Sequence, residues 1–103
     1  MNLPVYKHPE ALDDVFHYAE FIGRDNPDAA ERFFVAARES FAFIGNNPLI
    51  GPARKFRDIR LLGLRSWRID GFKNHLVFYR IKSERVEIIR VIHGAMDLEQ
   101  ELL

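Results

Sequence analysis

The chain has four histidines, three serines and no cysteine, and these counts settle most of the covalent chemistry open to it. Without cysteine there is no disulfide, no thiolate zinc site and no thiol nucleophile, and a reducing, cytoplasmic setting is expected. His8, His17, His75 and His93 lack the four-residue pairing that sets two imidazoles on one helix face around a metal, so no metal and no cofactor is expected. Ser40, Ser66 and Ser83 do not stand in a Gly-x-Ser-x-Gly elbow, and no glycine-rich loop is placed to cradle a phosphate. What remains for general acid and base work on RNA is His75, Tyr79, Arg80 and His93. Tyr79 and Arg80 are neighbours on an expected strand and must point to opposite faces, which divides that set.

Arginine is the other functional side chain in number. Lys and Arg total 15 against 15 Asp and Glu, a formal net charge of zero, which argues against a general polyanion binder. The zero is a sum of unlike halves: residues 1–50 carry a net −4, residues 51–103 a net +4, and residues 54–90 a net +7. Arg60, Arg65 and Arg68 gather near Trp67, and Arg pairs bidentately with carboxylate or phosphate, so this stretch suits an acidic protein segment or nucleic acid. Arg80 follows Leu76 and Phe78, and Arg90 stands between Ile88 and Ile92. Strict alternation places each arginine on the face of its apolar neighbours, paired internally or presented to a ligand.

Those residues need elements to hold them. With 103 residues, 48% of them hydrophobic, the chain is long enough for one core, and a single domain over residues 1–103 is expected. Between Pro9 and Asn26, Leu12, Val15, Phe16, Ala19 and Ile22 recur with helical period and are expected as its buried face. Asn26, Pro27 and Asp28 then restart the pattern as cap, first-turn proline and first-turn acid. The second helix carries Ala30, Phe33, Phe34, Ala37, Phe41 and Ile44 and runs to Gly45 or Asn46. Asp13 and Asp14 read as first-turn acids. Beyond Pro52 the period becomes alternating. Leu64 to Ile69, His75 to Ile81 and Val86 to His93 read as three strands joined by short polar links, an antiparallel meander. Leu3 to Lys7 adds a short fourth strand, which Pro4 confines to an edge. The expected fold is α+β, an antiparallel sheet packed against an N-terminal helical hairpin. No apolar run reaches the roughly 20 residues that span a bilayer, and the first ten residues lack a signal-peptide core, so no membrane association is expected.

The helices are apolar on more than one side. Ala29, Ala36 and Phe43 lie about a third of a turn from the main stripe of the second helix, and Tyr18 and Phe21 flank that of the first. A sheet covers one stripe; a second either fits a partner or folds its long aromatic side chains back over the same core.

The segment from Leu64 to Asp97 carries the most specific pattern: Gly71-Phe72-x-x-His75-Leu76-Val77-Phe78-Tyr79-Arg80, then Val86-Glu87-Ile88-Ile89-Arg90-Val91-Ile92-His93-Gly94. With Asn47-Pro48-Leu49-Ile50-Gly51 as a Pro-x-x-Gly turn, the chain resembles the ParE branch of the ParE/RelE toxin superfamily. The resemblance implies the RelE/ParE-like fold and a toxin of a type II toxin–antitoxin module of the plasmid-stabilisation kind. It implies a partner, a ParD-like antitoxin that wraps the toxin in a hetero-oligomer and brings DNA in only indirectly, and DNA gyrase as the target, bound without catalysis. The rival it implies is a ribosome-dependent messenger endoribonuclease of the RelE type, working through His75, Arg80 and His93. Met96 stands where family members commonly carry arginine, and His75 where RelE-like nucleases tend to, which weakens that rival. Tyr18, Phe21, Phe34 and Phe43 are expected to line the antitoxin groove, and Arg65, Trp67, Arg80 and Arg90 to anchor it, since binding energy concentrates in Trp, Tyr and Arg.

Overall fold

Two proline-led starts organise the helical hairpin. In the computed structural model, which describes residues 1–103, Pro9 opens α1 (Pro9–Gly23) and Pro27 opens α2 (Pro27–Asn46). The missing proline N–H falls where a helix has no intrahelical acceptor for it. Asn26 caps α2 as its sequence predicts, its side-chain oxygen accepting the Ala29 N–H at 3.0 Å. Gly45 lies inside α2 because the N-terminal segment crosses it closely. A Cβ there would come within 2.5 Å of the Val5 side chain, and the Leu3 N–H donates to the Gly45 carbonyl at 2.9 Å.

The sheet comprises β1 (Val5–Lys7), β2 (Arg65–Ile69), β3 (Phe72–Lys82) and β4 (Arg85–His93) in the order β1-β4-β3-β2. β2, β3 and β4 form the antiparallel meander, and β1 takes an edge as expected. β1 runs parallel to β4, however, so the sheet is mixed rather than wholly antiparallel. β3 starts three residues before its expected beginning: the link shrinks to Asp70 and Gly71, with Gly71 at φ 80°, so that polar Lys73 and Asn74 belong to the strand. At the other hairpin, Ser83 and Glu84 form a two-residue turn with φ 54° and 61°, a left-handed pair that matches strand twist but suits Asn-Gly better.

A bulge redirects β4. Phe78 pairs with Arg90 while Tyr79 pairs with Ile88, so Ile89 has no partner. One extra residue reverses the alternation beyond it. Val91 therefore joins Val86, Ile88, Val77 and Tyr79 in the core beneath the helices, and Arg90 leaves the face of Val86 and Ile88 on which strict alternation had placed it.

α1 meets this core through small residues and α2 through larger ones. Ala11, Val15 and Ala19 of α1 and Phe33, Ala37, Phe41 and Ile44 of α2 are buried against the sheet. Leu12 and Phe16, expected on the buried face of α1, are exposed instead, because the alanines let the helix lie close with its bulkier neighbours turned outward. The opposite face of the sheet has a smaller apolar layer. Phe78 and Ile92 are buried there with Leu61 and Leu64, under residues 52–64, a 3₁₀ turn (Ile59–Leu61) and a short C-terminal helix, α3 (Leu98–Leu102). The Glu99 carboxylate secures α3, accepting the N–H groups of Arg57 and Asp58 at 3.0 and 3.1 Å.

Candidate functional site

The solvent side of the helical hairpin is an apolar groove of about 250 Å³ between α1 and α2. Phe16 and Phe34 meet edge to face across it with ring centroids 5.2 Å apart, Leu12 and Val35 extend the floor, and Lys7 and Arg38 stand at the rim. Phe16 and Phe21 are each 65% exposed. A large apolar side chain left in water forfeits about 1.5–3 kcal/mol that burial would return, so the groove is apolar surface whose cover would be favourable.

The residues singled out from sequence divide into groups. Phe34 lines this groove, and Phe21 projects from the end of α1 with the Arg24 guanidinium 5.9 Å from its ring centre. Phe43 lies on the other side of α2, stacked on Trp67 at 6.3 Å, while Arg68 covers the Trp67 ring at 4.7 Å. Phe16, Leu12 and Val35 are groove residues the sequence reading missed. The available signal was the spacing of Ala11, Val15 and Ala19, which marks a closer-packing stripe beside Leu12 and Phe16.

Tyr18, Arg65 and Arg90 work inside the fold. β1 covers β4 only from Val86 to Ile88, so the edge of β4 beyond that lacks a strand partner. Side chains of α1 take its place. Asp14 accepts the Val91 N–H at 2.9 Å and the Tyr18 hydroxyl accepts the His93 N–H at 2.9 Å, the two residues being four apart on one helix face. Asp14 also accepts from Nε and Nη2 of Arg90 at 2.7 and 3.0 Å, and Arg90 Nη1 donates to the Glu101 carbonyl of α3. Asp14 is thus a ligand of the sheet rather than a first-turn acid, and its hydrogen bonds hold the Arg90 guanidinium above its ordinary pKa.

The two segments that carry the family resemblance touch one another. The Tyr79 hydroxyl accepts the Gly51 N–H at 2.9 Å and donates to the Pro48 carbonyl at 2.8 Å, while Arg65 Nη1 donates to the Gly51 carbonyl at 2.7 Å. Burial pushes the Tyr79 hydroxyl pKa up. Gly51 is required by contact: a Cβ would lie 2.5 Å from the Ser66 carbonyl oxygen and 2.8 Å from the Tyr79 hydroxyl.

The acid–base set does not converge. His75 and His93 face each other across β3 and β4 with ring centroids 5.0 Å apart, beside Tyr18 and Phe33 on the helix side. Burial, then the neighbouring His93, holds the His75 pKa below the usual imidazole value. Arg80 is five residues along β3 and therefore on the other face. It has no carboxylate partner; its Nη2 reaches the Arg60 carbonyl only at 3.5 Å and its buried Nε has no acceptor. No group of three or more His, Cys, Asp or Glu side chains is placed to hold a metal, and no helix is long and apolar enough to cross a membrane.

The family described as "ParE toxin of type II toxin-antitoxin system, parDE" matches residues 5–98. Among solved structures, the chain is similar to one from a chromosomal ParDE toxin–antitoxin system of P. aeruginosa, with a TM-score of 0.73 and 14% identity over 88% of this chain and 95% of that one. It is also similar to a chain of the RelBE2 toxin–antitoxin complex of Mycobacterium tuberculosis, with a TM-score of 0.58 and 24% identity over 90% and 99%. At these identities the likeness is one of fold. No curated protein matches the chain.

Proposed function

Because the chain belongs to the ParE toxin family of type II toxin–antitoxin systems, we propose that a ParD-like antitoxin holds it inactive by covering the outer face of the α1–α2 hairpin, and that the free toxin binds and poisons DNA gyrase without catalysis. The observation that carries the antitoxin part is the exposed Phe16–Phe34 groove, which an amphipathic helix with apolar anchors at three- and four-residue spacing would fill. Phe21, Phe34, Phe43 and Trp67 make the direct contacts in this reading. Tyr18, Arg65 and Arg90 act through the elements they tie down, and the unpaired Arg80 guanidinium takes an acidic side chain of the wrapping segment. The gyrase part rests on the family, and the placement of Arg80 on the opposite sheet face from His75 and His93 speaks against the RelE-type rival.

Co-expression with the protein encoded beside it, followed by purification, tests the first part. A stable complex that Phe34→Asp abolishes is expected; a toxin that ignores this neighbour at micromolar concentration overturns it. Induced expression without the neighbour tests the second. Growth arrest with a DNA-damage response and intact messages is expected, and cleaved messages would overturn the gyrase reading.

A further inference from the structure

The charges on the outward crest of α2 are arranged symmetrically about Val35. Residues 31–39 read Glu-Arg-Phe-Phe-Val-Ala-Ala-Arg-Glu. Val35 is 40% exposed and stands between two grooves: the Phe16–Phe34 groove, which Arg38 also lines, and a more polar one on the other side of α2, which Arg32 and Glu39 line. Phe33 and Ala37 are buried beneath it in the core. At about 100° per residue, Glu31 and Arg38 fall on the α1 flank of Val35 and Arg32 and Glu39 on the opposite flank, each about one turn along the helix. All four are exposed, and none joins any of the five ion pairs of the molecule.

We infer that the toxin, when free of antitoxin, forms a two-fold dimer in which α2 packs antiparallel on α2 of a second copy across Val35. A two-fold axis that crosses α2 at Val35 in the plane of contact reverses the helix direction and keeps each flank on its own side. Glu31 then faces Arg38 of the second copy on one flank, and Arg32 faces Glu39 of the second copy on the other, each pairing occurring twice by symmetry. The same operation sets the exposed Phe16 and Phe34 rings against their own counterparts, so the apolar surface is covered by apolar surface. A parallel arrangement would instead lay those rings over the carboxylates of the polar groove. The inference goes beyond the antitoxin reading: one outer face serves both occupants, so each excludes the other. The contact is narrow and its ion pairs are exposed, so association in the micromolar range is expected.

Sedimentation equilibrium of the purified toxin alone tests this, and a concentration-dependent dimer is expected. Glu31→Arg or Arg38→Glu turns two attractions into repulsions and should weaken the dimer about thirtyfold. The double variant Glu31→Arg with Arg38→Glu should return it to within about threefold of the wild type, because the two charges face each other between copies. A dimer indifferent to the single reversals, or losses that add in the double variant, overturns the inference. Should a reversal fail to fold, Val35→Lys serves instead: it sets two like charges on the axis and should leave only monomer, and a persistent dimer overturns the inference. A wild-type toxin that stays monomeric at high micromolar concentration, its outer face covered only by the antitoxin, overturns it as well. Co-purification with the antitoxin reports separately, so the antitoxin reading can stand where the dimer fails.

Discussion

Replacing Asp14 with alanine should loosen α1 from the sheet by a calculable amount. One carboxylate accepts three N–H groups, from Arg90 Nε and Nη2 and the Val91 backbone, at 2.7, 3.0 and 2.9 Å. The Arg90 and Asp14 side chains are 28% and 15% exposed. Removing one partner of a fully buried pair costs about 3–5 kcal/mol, since it strands the other charge; the partial exposure here reduces this to about 2–3 kcal/mol. For a chain of this length, about 0.2 kcal/mol corresponds to each degree of melting temperature, so Asp14→Ala should melt about 10–15 °C lower. Asp14→Asn, which keeps an acceptor for Val91 but loses the charge, should fall about halfway between. The assay is urea and thermal unfolding followed by circular dichroism, in a double-mutant cycle with Arg90→Met, where a coupling of at least about 1 kcal/mol is expected. A loss below about 0.5 kcal/mol for Asp14→Ala, or additive effects in the cycle, would refute the claim that this pair substitutes for a strand. The cycle also separates two roles for Arg90: while the protein stays folded, Arg90→Met should leave antitoxin affinity unchanged, and a large loss would mean that it contacts the partner directly.

Tyr79→Phe should cost about 2–4 kcal/mol in urea unfolding, because the Gly51 N–H and Pro48 carbonyl lose their buried partner together; a cost near zero would show that solvent reaches the turn. Ser83→Asn with Glu84→Gly should raise stability by about 1 kcal/mol, relieving two left-handed residues at the β3–β4 turn, without changing antitoxin affinity; a lower melting temperature would contradict this. Stability should fall as the pH drops below about 6.5, because the unfolded chain protonates His75 at its normal pKa while the folded chain, with that pKa lowered, does not; the loss ends once the pH passes the folded value. Glu87, whose pKa is lowered first by the His8 hydrogen bond and then by that to Arg85, acts in a separate window below about pH 4.5. His75→Phe should flatten the slope between about pH 7.5 and 5, and a slope that persists would place its origin elsewhere.

The local signals in the sequence were sufficient where the physics is local. Pro9, Pro27 and the Asn26 cap set the helix starts, and alternating β-branched and aromatic residues gave the meander. Three features lay beyond them. The bulge at Ile89 changes the parity of β4, and nothing in Glu87-Ile88-Ile89-Arg90 distinguishes a bulged from a regular strand, so the environment of Arg90 was not legible. The parallel pairing of β1 depends on where α1 carries the chain. Most consequentially for the site, a helix stripe reads as apolar whether or not the sheet reaches it. Leu12 and Phe16 joined the inferred core of α1, and the α1–α2 groove emerged only when Ala11, Val15 and Ala19 proved to be the residues in contact. Phe34, read from its spacing with the buried stripe of α2, lines the groove instead, while Trp67 packs partly buried beneath the Phe43 ring.

The closure of β4 by α1 has a consequence for assembly. A sheet polymerises by joining at two edges, one on each side, and here one side has almost nothing to offer. β1 is three residues long between Pro4 and Pro9, and past it Asp14 and Tyr18 already occupy the amides another strand would seek. Only β2 keeps an open stretch, so strand addition can accept one neighbour and then stops. Strand pairing, at least, cannot pass from molecule to molecule through a sheet closed in this way on one side.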